Sequence, residues 1–121
     1  MLRTIRKEDP ELVHTLVALR RAARDHHAPL WAAVAQRLAR PRHQVDPVNV
    51  GHLARLAEAK ETVVVPGKVL AAGEIRTPIT VAAYHFSTAA RAKIVAAGGT
   101  VMSISDLLKS HPDGAGVHLY A

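Results

Sequence analysis

The sequence predicts an α/β fold in which helices come first and short strands alternate with helices afterwards. Three observations carry this reading. Apolar residues recur at helical spacing through the first half, runs of β-branched residues begin after Glu61, and Pro and Gly punctuate the boundaries between them. At 121 residues the chain has the size of a single domain, with a mainly helical, basic part over 1–59 and an α/β core over 60–121.

The first helix starts at Asp9-Pro10-Glu11, which supplies an N-cap carboxylate, a proline whose missing N–H costs nothing there, and a second acid near the positive helix end. It is expected to run to about His26, with Leu12, Val13, Leu16, Val17 and Leu19 inward and Arg20, Arg21 and Arg24 in its last turns. Pro29 opens a second helix with an apolar face of Leu30, Trp31, Val34, Ala35 and Leu38, and Pro41 ends it by disfavouring helical backbone at the preceding residue. A basic loop follows, Arg40-Pro41-Arg42-His43-Gln44, stiffened by Pro41 and Pro47. Asn49 is the expected cap of a third helix to about Ala59, the alternative being a start at Val48, with Leu53, Leu56 and Ala57 inward.

From Glu61 the period changes. Val63-Val64-Val65 reads as a strand, either buried or at a sheet edge, Pro66-Gly67 as a turn, and Val69-Leu70 as a second short strand, together a hairpin or bent pair. Thr80–Ala83 is another strand, Ser87 an N-cap, Thr88–Ala97 a helix, and Gly98-Gly99 its stop. Val101–Ser103 leads into a short helix near Ser105–Ser110, with Ser103 and Asp106 at capping-box separation. Val117–Tyr120 is the last strand.

The net charge of +6 is an N-terminal property. Residues 1–45 hold nine Lys or Arg against four acids, while 46–121 hold seven against six. Such a balance points to a polyanionic partner. Trp31, Tyr84, Phe86 and Tyr120 lie among apolar neighbours and are expected in the core, which argues against a stacking platform for single strands and for phosphate gripping of folded RNA or duplex. The absence of cysteine excludes disulfides and thiolate metal sites, and eight histidines include no HExxH and no pair four apart on a helix. Neither a signal peptide nor an apolar run of membrane-spanning length is present, so the expected location is the cytoplasm.

Enzyme readings fare poorly. Gly67–Gly73 lacks the Gly-Lys-Ser/Thr ending of a phosphate loop, and a triad of Ser87, His85 and Asp106 would lack a nucleophile elbow. A helix-turn-helix DNA-binding module built from the first three helices is the alternative, weakened because the third helix offers chiefly His52, Arg55 and Glu58.

Four segments in one order carry a family resemblance: Trp31, Arg40-Pro41-Arg42, Val48-Asn49-Val50-Gly51, and the stretch from Thr62-Val63-Val64-Val65-Pro66-Gly67-Lys68 through Gly73 to Phe86-Ser87, Ala90, Lys93 and Ile94. Together they resemble the large-subunit ribosomal protein family L-eighteen-e of archaea and eukaryotes, over nearly the whole chain. The resemblance implies an irregular superhelix of ββα units, shared with the bacterial ribosomal L-fifteen family and preceded by helices. It further implies a structural component of the large ribosomal subunit that binds large-subunit rRNA beside neighbouring ribosomal proteins, with no cofactor, no catalytic residue and no small-molecule substrate. The lack of the longer eukaryotic tails implies an archaeal member, and the basic balance a non-halophile. Positions matched to the family are Arg40, Arg42, Asn49, Lys68 and Lys93, while Arg76 stands where the family often has lysine. Charge and placement add Arg20, Arg21, Arg24, Arg37, His43 and Arg91 as rRNA-binding candidates.

Overall fold

The computed structural model describes residues 9–40 and 46–120. Its elements are α1 (Pro10–Asp25), α2 (Pro29–Leu38), β1 (Val48–Asn49), α3 (Val50–Leu56), β2 (Thr62–Leu70), β3 (Thr80–Phe86), α4 (Thr88–Ala96), β4 (Thr100–Ser103), α5 (Ile104–Ser110) and β5 (Val117–Leu119). The α/β class holds, and every strand pairing is parallel.

The sheet runs β1-β2-β3-β4, and β5 joins the same side of β2 as β1. β2 is long enough to take both: Thr62–Val64 pair with Val117–Leu119, and Val69 and Leu70 pair with Val48 and Asn49. Strand alternation divides the core in two. Val64 and Ala82 face α1, α2 and α5, packing with Leu16, Leu19, Trp31, Val34, Ile104 and Leu107. Val63, Val65, Val81 and Ala83 face α3 and α4, packing with Val50, Leu53, Ala90 and Ile94. A parallel sheet needs such cover on both faces, which is why its strands read as unbroken apolar runs. Each fully buried aliphatic side chain here contributes about 1.5–3 kcal/mol relative to exposure. Trp31 is fully buried, and its indole Nε1 donates to the Pro112 carbonyl at 2.9 Å, pinning α2 to the turn before β5.

The helix starts follow their sequence signals. Asp9 accepts from the Leu12 N–H, Ser87 from Ala90 and Ser103 from Asp106. Asp9 also accepts from the Tyr84 hydroxyl, fastening the start of α1 to β3. The end of α4 is a Schellman motif: Gly98 has φ +87°, its N–H donates to the Val95 carbonyl, and Gly99 donates to Ile94.

Several expectations are corrected. Pro66-Gly67 is no hairpin turn but the interior of one continuous strand. The register of β2 against β3 shifts between Val65 and Lys68, and this bulge accommodates a proline that has no N–H for the ladder. The open question over Val63–Val65 resolves as a central, buried strand. β3 continues past Ala83 to Phe86, and β1 was not anticipated at all, since two residues carry no period. Val13 is only half-buried, and Val17 and Leu56 are 49% and 50% exposed, because the core contacts of α1 and α3 cover narrower stripes than their apolar content suggests. Thr15 takes a buried place instead, its hydroxyl 3.4 Å from that of Ser105. Finally, α3 stops at Leu56 rather than Ala59 and lies on the opposite sheet face from α1 and α2. The three helices therefore do not form a helix-turn-helix unit.

Candidate nucleic-acid interface

Parallel strands collect their C-terminal ends on one edge of the sheet, and cations gather there. Lys68 pairs in register with His85, and both are exposed. This pair follows directly on the register shift that absorbs Pro66. Next in the chain, Phe86 ends β3 and Ser87 caps α4, whose first turn presents Arg91 with its guanidinium carbon 5.4 Å from the centre of the Phe86 ring. The N-terminal end of α4 adds its partial positive charge at the same place.

The direction of α2 brings further cations to this edge. Its start is anchored beside Pro112 and Gly114, ahead of β5, and it packs against the face of β2. The chain leaving it reaches β1, which pairs with the far end of β2. Arg37, half-buried, and Arg40, exposed, therefore lie toward the C-terminal ends of the strands. Arg42 and His43 fall outside the described residues.

Arg20, Arg21 and Arg24 occupy a different place. α1 begins at Tyr84, near the end of β3, and runs away from that edge toward its short connection with α2 beside the Pro112–Gly114 turn. All three arginines are exposed on its outer side together with His14 and Val17. Arg24 sits 3.3 Å from Asp25 in a solvent-exposed pair of little energetic weight. Among the described residues no carboxylate forms an ion pair with Arg20, Arg21, Arg37, Arg40, Lys68 or Arg91.

Three candidates are committed within the protein. The side-chain oxygen of Asn49 accepts from the Ala72 N–H at 3.2 Å instead of capping α3. The Lys93 ammonium donates to the carbonyls of Ala71 and Gly73 at 2.7 and 2.8 Å. Arg76 pairs with Glu74 at 3.2 Å, both well exposed, on a groove formed with Ile75, Lys93, Ala96 and Ala97. Asn49 and Lys93 thus hold the 71–73 turn from two sides, and Gly51 donates its N–H to Ala72 at the centre. At that point Gly51 and Gly73 touch: a Cβ on Gly73 would lie 2.7 Å from the Gly51 Cα, and one on Gly51 would lie 3.0 Å from the Gly73 Cα. Side chains at these positions would drive the two backbones apart.

No described group of His, Asp and Glu is placed to hold a metal ion. The Ser87 hydroxyl is used as a helix cap, not aligned as a nucleophile. Among the described residues no helix is long and apolar enough to cross a membrane. His85 went unnoticed as a neighbour of Lys68.

Residues 2–121 match the family model described as ribosomal protein 60S L18 and 50S L18e. The chain belongs to this family. It is 46% identical to the large ribosomal subunit protein eL18 of Archaeoglobus fulgidus, covering 95% of this chain and 98% of that one. It is likewise 46% identical to the Methanopyrus kandleri protein of the same name over 90% of both chains, and 38% identical to that of Methanoregula boonei over 98% of both. The family is named for ribosomal proteins and is not enzymatic. Of the positions that carry the resemblance, Lys68 lies at the sheet edge, Asn49, Gly51, Gly73 and Lys93 at the closed turn, and Arg40 exposed after α2, while Arg42 lies outside the described residues.

Proposed function

We propose that this protein binds large-subunit rRNA directly, gripping phosphates with exposed cations on a rigid parallel-sheet scaffold. As a member of its family it is a structural constituent of the large ribosomal subunit, located in the cytoplasmic ribosome. The observation that supports direct RNA contact is the set of exposed cations, Arg20, Arg21, Arg40, Lys68 and Arg91, that have no acidic partner among the described residues. Arg37 adds to the charge, and Arg42 and His43 extend it in sequence. Arg24 and Arg76 can exchange their exposed acids for phosphate, because surface pairs of this kind are worth about 0–1 kcal/mol. Asn49 and Lys93 act by holding the 71–73 turn, and the exposed Lys93 ammonium keeps one hydrogen beyond its two carbonyl bonds. Neighbouring large-subunit proteins are the expected protein partners.

Aromatic stacking is not part of this mode. Trp31 and Phe86 are buried, and Tyr84 and Tyr120 spend their hydroxyls on Asp9 and Glu61. Affinity then rests on phosphate, sugar and shape. For about six phosphate contacts, log affinity falls with log salt at a slope of roughly −4 to −5.

Co-sedimentation with large subunits from the source cells, and release only under high-salt washing, is the expected result. Recovery free of ribosomes but retained on duplex DNA would reject it. The Arg40→Ala, Arg42→Ala double variant should bind rRNA more weakly with unchanged thermal stability, and unchanged affinity would remove that loop from the interface.

A further inference from the structure

We propose that the bond between Asp113 and Gly114 is a self-modifying site, which converts slowly to an isoaspartyl linkage and thereby frees Trp31 from its anchor. Of the five aspartates, only Asp113 is followed by glycine, the others preceding Pro10, His26, Pro47 and Leu107. Glycine has no Cβ, so no side chain shields the backbone nitrogen that must attack.

The turn supplies the approach. Asp113 is exposed, and its Oδ1 accepts from the Ala115 N–H at 3.1 Å. A carboxyl bonded in this way to the N–H two residues on is folded back over the intervening peptide, which brings its Cγ toward the Gly114 nitrogen. The chemistry then needs only water. The Gly114 nitrogen gives up its proton and bonds to Cγ, and a side-chain oxygen of Asp113 leaves as water, closing a five-membered imide. Water next adds to the main-chain carbonyl carbon of Asp113 and breaks its bond to nitrogen. That carbon becomes a free carboxylate, and the chain now runs through Cβ and Cγ, longer by one atom. One hydrogen bond restrains the first step: Gly114 donates its N–H to the His111 carbonyl at 3.0 Å, so the nitrogen is released only when the turn opens.

The consequence follows from what flanks the bond. On one side the Pro112 carbonyl accepts from Trp31 Nε1 at 2.9 Å. On the other, a Cβ on Gly114 would lie 3.1 Å from Leu30 Cδ2 and 3.6 Å from the Trp31 ring, so the Gly114 backbone sits against the same indole. A backbone atom inserted between these two contacts pulls them out of step. The fully buried Trp31 then loses its seat between α2 and the turn before β5.

The test is to age the full-length protein at neutral pH in heavy-oxygen water, with and without urea, beside Asp113→Glu, whose longer side chain would have to close a slower six-membered ring. Trypsin cleavage after Lys109 then releases residues 110–121 for mass spectrometry, and an isoaspartyl methyltransferase reports the linkage. Folded wild type should take up heavy oxygen in that peptide and become methylatable, urea should speed uptake several-fold, and Asp113→Glu should do neither. Because Trp31 is the only tryptophan, the aged protein should also emit at longer wavelength than fresh protein. No uptake by folded protein while the urea sample reacts would overturn the site, and equal uptake in both would overturn its restraint by the turn. Aged, methylatable protein with unchanged emission would overturn the release of Trp31. Circular dichroism of Asp113→Glu confirms that the comparison is between folded proteins.

Discussion

The 71–73 turn and the outer face of α1 are both polar, yet one is closed on itself and the other is open. Around the turn, Asn49 accepts from Ala72, Gly51 donates to Ala72, and Lys93 donates to Ala71 and Gly73. On α1, Arg20 and Arg21 are exposed without an acidic partner among the described residues. The closed site carries recognisable motif residues, and the open one carries only charge and placement. A polar residue that carries the family resemblance can therefore serve the backbone, as Asn49 and Lys93 do, while Lys68 and Arg40, which also carry it, stay exposed without an acidic partner among the described residues.

The sharpest way to break this comparison is at the glycine contact. Gly73→Ala forces a side chain into φ +86° and to within 2.7 Å of the Gly51 Cα, so it should cost about 3 kcal/mol and lower the midpoint of chemical denaturation accordingly. A loss below about 0.5 kcal/mol would mean that the turn is free to shift and is not a fixed node. Lys93→Met removes the donor to two carbonyls while keeping the apolar stem, and should cost roughly 1–2 kcal/mol. The same variant should change the salt slope of rRNA binding by less than one unit. The reverse pattern is expected of R20Q/R21Q: stability within about 0.5 kcal/mol of wild type, and a salt slope shallower by roughly 1.5 units. If Lys93→Met altered binding more than R20Q/R21Q did, the division between closed and open sites would fail.

The smallest effect concerns the end of the chain. Tyr120 follows β5, donates to the Glu61 carboxylate at 2.9 Å, and shares that carboxylate with His118, 3.5 Å away. Partial burial, then the bond to Glu61, then the charges of Glu61 and Glu58 raise its phenol above the ordinary value of 10.0. A raised folded value means that the folded state holds this proton more tightly. The contribution is complete below pH 10 and disappears as pH rises through the raised value. In denaturation between pH 8 and 11, wild type should thus lose its advantage over Tyr120→Phe only at the alkaline end, and a constant difference would show that this ionisation is not linked to folding.

Much of the fold could be read because the signals were local. Asp9-Pro10, Ser87, Ser103 and Gly98-Gly99 mark helix ends by side-chain or backbone chemistry within a few residues, and each behaves as expected. The misread places depend on distant partners. Pro66-Gly67 has the composition of a turn, but pairing with β3 on one side and β1 and β5 on the other holds the chain extended through it. Val17 fits the helical period, yet it stays 49% exposed because it lies off the buried stripe of Leu12, Thr15, Leu16 and Leu19. The candidate site divides in the same way: Arg20, Arg21, Lys68 and Arg91 were visible as charges, whereas the internal duties of Asn49 and Lys93 required knowing that residues 71–73 lie between them.

By itself the sequence determined the α/β class, the caps of α1, α4 and α5, most of the apolar core and the basic balance, since these follow from periodicity, capping chemistry and charge. Only the tertiary structure decided that β2 is one bulged central strand, that α3 lies across the sheet from α1 and α2, and that Gly51 meets Gly73. Those outcomes depend on contacts between residues far apart in the chain, which local patterns do not encode.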